Sequence, residues 1–155
     1  MNENFRQFLD RLRREKELVD IRQAVDIRHI ATLVDQSEHA LMFHSVIGYD
    51  LPVVSGIIRT ERRATLSMGC EKYSEIETKL RRGIDHPIAP RHCKTAPHKQ
   101  VIKVGDDVDL FRLPIPMSSI YDGGPMITAG VVIARDPEHG LNSGIYRFLV
   151  KEKNL

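Results

Sequence analysis

The chain has 155 residues, 41% of them hydrophobic and 28% charged, which suits one ordinary globular domain, or one domain and the start of another. Its net charge of +2, with basic and acidic residues interleaved, argues against a dedicated nucleic-acid surface, and its apolar runs are too short to span a bilayer. No basic stretch leads into an apolar secretion segment, so the cytoplasm is the expected compartment. Cys70 and Cys93 form no CxxC and are expected as free thiols, not as a disulfide or a zinc pair.

Asn4 to Glu17 reads as an amphipathic helix, with Phe5, Phe8, Leu9 and Leu12 at i, i+3, i+4 and i+7 and Arg11, Arg13, Arg14 and Lys16 on a solvated face. Leu18–Ile21 is a short strand. Asp26 can cap a second helix that places Ile27, Ile30, Ala31 and Val34 on one face, with His29 and His39 as surface residues. Strands are expected at Ala40–Phe43 and Pro52–Ile58, separated by the turn Gly48-Tyr49-Asp50. Glu61–Met68 is a short helix, and Ser74-x-x-Glu77 is a capping box for another that closes with Arg81-Arg82-Gly83. The prolines and the histidine spacing of Asp85–His98 match no zinc signature and point to an extended loop. Val101–Val104 reads as a strand ended by Gly105-Asp106-Asp107, and Asp109 to Pro116 as a proline-punctuated link. The fold class expected is α+β: helices on a mixed sheet over residues 1–105, then a linker and the start of a second unit over 106–155.

That second unit centres on Asp122 to Arg147. Two apolar, β-branched runs, Ile127–Ala134 and Ile145–Val150, flank the turn formers Asp-Pro-Glu-His-Gly, a hairpin pattern. Asp122-Gly123-Gly124-Pro125 leads in. In a regular strand Ile145 and Arg147 share one face and Tyr146 takes the other. Asn142 offers an amide oxygen and Arg147 a fixed cationic fork. Pattern alone permits an edge ribbon with a solvated arginine.

The pieces Asp122-Gly-Gly-Pro125, Ile127-Thr-Ala-Gly-Val-Val-Ile133, Arg135-Asp-Pro137 and Asn142-x-x-Ile145-Tyr146-Arg147, in this order, strongly resemble the UbiD family of reversible, non-oxidative decarboxylases. Phe5-Arg-Gln-Phe-Leu9, Glu17-Leu-Val19 and Phe43-x-x-Val46-x-Gly48-Tyr49 extend the likeness along the whole chain. The resemblance implies prenylated FMN as cofactor, seated on a split β-barrel whose first hairpin would lie at about 126–151. It also implies a divalent metal, usually manganese, at the cofactor phosphate, with a monovalent cation such as potassium nearby. Asn142 matches the asparagine metal ligand, an appropriate neutral oxygen for a hard cation. Ile145, Tyr146 and Arg147 match the segment along the flavin. Arg147 matches the arginine beside the substrate carboxylate and the catalytic acid, where a guanidinium can grip a carboxylate bidentately and favour its ionised form.

The implied reaction uses the modified flavin as an electron sink bonded to the carbon that bears the carboxylate. Carbon dioxide leaves, and a carboxylic acid protonates that carbon. The Ile145-Tyr146-Arg147 form leans toward hydroxybenzoate-type acids, with α,β-unsaturated acids as the wider class. Family members are several times longer. Their acidic metal ligand, proton donor and second set of cofactor contacts lie beyond this hairpin. The chain is therefore expected to be inactive alone and to be completed by a missing remainder or a partner subunit, in a homo-oligomer. The other readings are an accessory flavin- or metal-binding subunit and a structural module without a ligand.

Overall fold

The computed structural model describes residues 3–89 and 93–154. Helix α1, Phe5–Arg14, starts at a capping box: Asn4 Oδ1 accepts from the Gln7 amide at 3.0 Å, and Gln7 Oε1 accepts from the Asn4 amide at 2.9 Å. It buries Phe8, Leu9 and Leu12 and ends at Arg14, short of the expected Glu17. Strands β1 (Leu18–Ile21), β2 (Ala40–Phe43) and β3 (Val53–Ser55) form a mixed sheet in that order. β1 runs parallel to β2, with Leu18 opposite Ala40, and β3 runs antiparallel to β2, with Ser55 opposite Leu41. The crossover between the parallel strands contains a 3-10 turn, Ile27–His29, and helix α2, Ile30–Asp35. Asp26 caps the turn by accepting the Arg28 amide at 2.9 Å.

The central strand Ala-Leu-Met-Phe is apolar on both faces because both are covered. Ala40 and Met42 pack with Phe8, Leu9 and Leu12 of α1. Leu41 and Phe43 pack with Ile30 and Val34 of α2 and with Val46. The third strand is shorter than Pro52–Ile58 because Gly56 turns the backbone to φ +78°. A Cβ there would also meet Val34 Cγ1 at 3.3 Å. Helix α3, Glu61–Met68, is capped by Thr60 and lays Leu66 against the α1 cluster. Helix α4, Glu75–Asp85, starts without the expected capping box. Ser74 is itself helical (φ −61°, ψ −17°), so its hydroxyl makes no cap. The Glu75 carboxylate instead accepts from the amides of Glu71 (3.0 Å) and Lys72 (3.4 Å), while Glu77 pairs with Arg81.

Two ion clusters replace much of the free basic face expected for α1. Arg63 is 1% exposed, and its Nη1 donates to Glu17 Oε2 (3.1 Å) and to the Glu38 carbonyl (2.8 Å). Arg62 Nε lies 3.3 Å from the other oxygen of Glu17. Arg11 reaches Glu3 and the Leu66 carbonyl. Arg13 donates Nε and Nη2 to Asp20, both at 3.0 Å, and His44 Nε2 lies 2.6 Å from Asp20 Oδ1. The hydrogen bonds from Arg13, opposed by partial desolvation and joined by the bond from His44, bring the Asp20 pKa down to about 2. A carboxylate with a depressed folded-state pKa adds stability above its unfolded pKa, near 4, and loses it as pH falls toward 2. Acid unfolding followed by circular dichroism should therefore show a stability loss between about pH 4 and pH 2 that is shallower in Asp20→Asn.

The structure corrects one expected element. Val101–Val104 is not a strand; Val101, Ile102 and Val104 are exposed and pair with nothing among the described residues, and β-branched residues gain from extended structure only when packed. Short 3-10 turns follow at Gly105–Asp107 and Leu110–Arg112. Of the Asp85–His98 loop, residues 90–92 lie outside the described residues, and Pro97–Lys99 forms a 3-10 turn. The hairpin then stands as a separate ribbon of β4 (Met126–Asp136) and β5 (Gly140–Leu149). Its base is tied by Met126 N to the Pro116 carbonyl (3.2 Å), Val150 N to Pro125 (3.0 Å) and Leu110 N to Lys153 (2.7 Å). None of the helices described is long and apolar enough to cross a membrane.

Candidate functional site on the hairpin

All the residues singled out for chemistry lie on β5. Its turn is closed by Asp136, whose Oδ1 accepts from the amides of Glu138 (2.8 Å) and His139 (2.7 Å), so the side chain takes the role of a backbone turn. From there the ladder is regular: Ala134 faces Asn142, Val132 faces Gly144, Val131 faces Ile145 and Gly130 faces Tyr146. It then breaks. Ile127 pairs with Phe148, so Thr128 and Ala129 together stand opposite Arg147 alone. This is a β-bulge, a device that twists a ribbon and re-aims the side chain facing it. Sequence reasoning missed it, although Gly130, an isolated glycine inside a β-branched run, is the kind of residue that marks a bulge.

Alternation along β5 then divides the four candidates. Ile145 and Arg147 project from one face, and Asn142 and Tyr146 from the other. The first face is apolar and open: Val131 is 67%, Ile133 71% and Ile145 73% exposed. Among the described residues, the side chains of Asn142, Ile145, Tyr146 and Arg147 make no hydrogen bond or ion pair. The Asn142 face is built differently. Gly130 and Gly144 leave space that aromatic rings occupy. A Cβ on Gly144 would meet the Tyr146 ring at 2.6 Å, and one on Gly130 the Phe148 ring at 2.8 Å. The glycines thus let two rings lie flat on the ribbon.

An open apolar face ending in an unpaired guanidinium can take a planar apolar ring such as a flavin with an anionic group, for example a carboxylate, at its edge. The metal is another matter. Asn142 supplies one neutral oxygen, and no group of three His, Cys, Asp or Glu side chains comes together among the described residues, so these residues do not by themselves make a divalent-cation site. A cleft of about 580 Å³ lies far along the chain from the ribbon, lined by residues such as Phe5, Phe8, Arg11, Met68 and Lys79. Its Arg11 and Lys79 already donate to the chain's own acceptors, Glu3 and the Leu66 and Met68 carbonyls, while Arg14 also lines it.

Residues 9–82 match the family profile of the 3-octaprenyl-4-hydroxybenzoate carboxy-lyase N-terminal domain, and residues 91–155 match that of the Rift-related domain of the same enzymes. The chain belongs to the UbiD family. Solved UbiD-class structures superpose on it closely. An evolved dimeric form of HmfF from Pelotomaculum thermopropionicum, in complex with prFMN, is 33% identical with a TM-score of 0.87, over 96% of this chain and 36% of that one. The closed form of vanillic acid decarboxylase from Sedimentibacter hydroxybenzoicus is 26% identical with a TM-score of 0.87, over 99% of this chain and 36% of that one. This UbiD-family chain thus spans about a third of the length of these relatives. Its α+β architecture agrees with theirs.

Proposed function

We propose that this chain supplies the N-terminal part of a UbiD-type decarboxylase, with β4 and β5 as the first hairpin of a split β-barrel and prenylated FMN against its Ile145–Arg147 face. The observation that supports this most is the open apolar surface of Val131, Ile133 and Ile145, with Arg147 set opposite a β-bulge and unpartnered among the described residues. Relatives of the same architecture are solved with prFMN and with FMN, and one is named for vanillic acid, an aromatic carboxylic acid. The substrate class of this reading is hydroxybenzoate-type aromatic acids. The cofactor, when bound, supplies an electron sink for the carbanion left by carbon dioxide. Arg147 grips the substrate carboxylate and favours the ionised form of a neighbouring acid. Ile145 and Val131 press on the ring and keep water from it. Asn142 would give one oxygen to a manganese ion that ties down the cofactor phosphate, with further ligands and a potassium ion supplied by the rest of such an enzyme. The N-terminal α/β unit and the ribbon act as separate units divided near residues 105–117, within a homo-oligomer.

Titration of the purified chain with FMN, read by quenching of isoalloxazine fluorescence, tests the binding surface. Saturable quenching is expected, weakened at least tenfold by Ile145→Asp, which puts a charge on the apolar face. Absence of saturation in the unmodified chain overturns the reading. The chain alone, supplied with prenylated FMN, manganese and 4-hydroxybenzoate, is expected to release no carbon dioxide above a protein-free control, because acids such as Asp136 and Glu152 do not match the family's motif for the proton donor.

A further inference from the structure

Phe5, Phe8, Arg11 and Arg14 recur every three residues along α1, and all four line the cleft of about 580 Å³ in the N-terminal unit. Met68 at the end of α3 and Lys79 of α4 line it as well. None of its described lining residues belongs to the ribbon. Phe5, Phe8 and Met68 give it an apolar surface, and Phe5 is 56% exposed there. Arg11, Arg14 and Lys79 give it three cations against one carboxylate, Glu3, among the described residues. Glu3 balances Arg11, whose Cζ stands 5.7 Å from the centroid of the Phe8 ring. Two positive charges are then left over. Lys79 gives an N–H to the Met68 carbonyl, and an ammonium has two more. Arg14 makes no hydrogen bond or ion pair among the described residues, so its planar fork is open to a ligand. The volume suits a small molecule, and an apolar wall beside a free fork and an ammonium suits a ring bearing one carboxylate. Glu3 also limits the positive surplus, which favours a monoanion over a phosphate dianion. Helix α4 has use for such a bridge, since it buries none of its own residues.

We propose that this cleft binds an aromatic carboxylate, with its ring against Phe5 and Met68 and its carboxylate shared between Arg14 and Lys79, and that the ligand clasps α4 to α1. The aromatic rings of Phe5 and Phe8 favour a flat ring over an alkyl chain. The site is separate from the hairpin and does not rest on the flavin reading.

Nuclear magnetic resonance of the isotope-labelled chain tests this, with benzoate, benzyl alcohol and acetate as probes. Benzoate should move the Phe5 and Phe8 ring signals, the Met68 methyl and the Arg14 Nε–H, and should saturate. Benzyl alcohol, which has the ring without the charge, and acetate, which has the charge without the ring, should not saturate over the same range. Arg14→Gln should weaken benzoate about tenfold, the scale of a hydrogen bond to a charged group. Arg14 is exposed and unpartnered among the described residues, so this variant should keep the spectrum of the folded chain. Arg6→Gln removes a neighbouring exposed cation that does not line the cleft, and it should bind benzoate as before. Glu3→Gln removes the one carboxylate and should tighten binding. With benzoate bound, the amides of Leu80 to Ile84 in α4 should exchange with solvent more slowly. Equal losses in Arg14→Gln and Arg6→Gln would reduce the effect to general surface charge and overturn the site. Saturation by acetate or benzyl alcohol as tight as by benzoate would overturn the ligand class. Shifts at Val131 and Ile145 without shifts at Phe5 and Phe8 would move the binding to the ribbon and overturn the proposal. Unchanged exchange in α4 on saturation would overturn the clasp.

Discussion

Glu17→Ala should lower the free energy of unfolding by about 3 kcal/mol, the low end of the cost of stranding a buried charge. Arg63 is 1% exposed, and Glu17 is its carboxylate partner, at 3.1 Å. Without Glu17 the guanidinium keeps only the Glu38 carbonyl, and its Nε and Nη2 are already buried without a partner. Arg63→Met should cost clearly less. It removes the buried charge and the two unsatisfied donors together and fills most of the same space, while Glu17, 19% exposed, keeps Arg62 at 3.3 Å. Urea unfolding of both variants with unchanged m-values decides this. Equal losses would show that the pair acts through packing and not through the stranded charge.

The second large effect concerns chemistry. In a preparation that turns over an aromatic acid, Arg147→Lys should leave flavin bound and lower kcat by about 10²-fold, the scale of a misplaced positioning group. Lysine keeps the charge but loses the planar fork that matches a carboxylate. Because Arg147 stands opposite two residues of β4 and pairs with no side chain among the described residues, its replacement should not disturb the ribbon. Asn142→Ala should fail in the opposite way, releasing flavin while excess manganese partly restores turnover. Bound flavin by absorbance and turnover by carbon dioxide release, measured on both variants, separate the two roles. A near-normal rate in Arg147→Lys would make the hairpin a scaffold and nothing more.

Local chemistry determined much of this protein. The spacing of Phe8, Leu9 and Leu12, the apolar run Ala40–Phe43 and the turn Asp136–Gly140 each specify their element through neighbours a few residues away. The motif from Asp122 to Arg147 was enough to indicate the family. Other features were decided at a distance. Whether Val101–Val104 becomes a strand depends on a partner, and among the described residues none is there. That Glu17 meets Arg63, 46 residues away, follows from α3 docking beside α1. The bulge opposite Arg147 and the rings over Gly130 and Gly144 exist only once β4 and β5 are in register. Pairing between strands fixes which face each side chain takes. The sequence therefore named Asn142, Ile145, Tyr146 and Arg147 and, through strand alternation, set Ile145 and Arg147 apart from Tyr146; only the ladder put Thr128 and Ala129 together opposite Arg147.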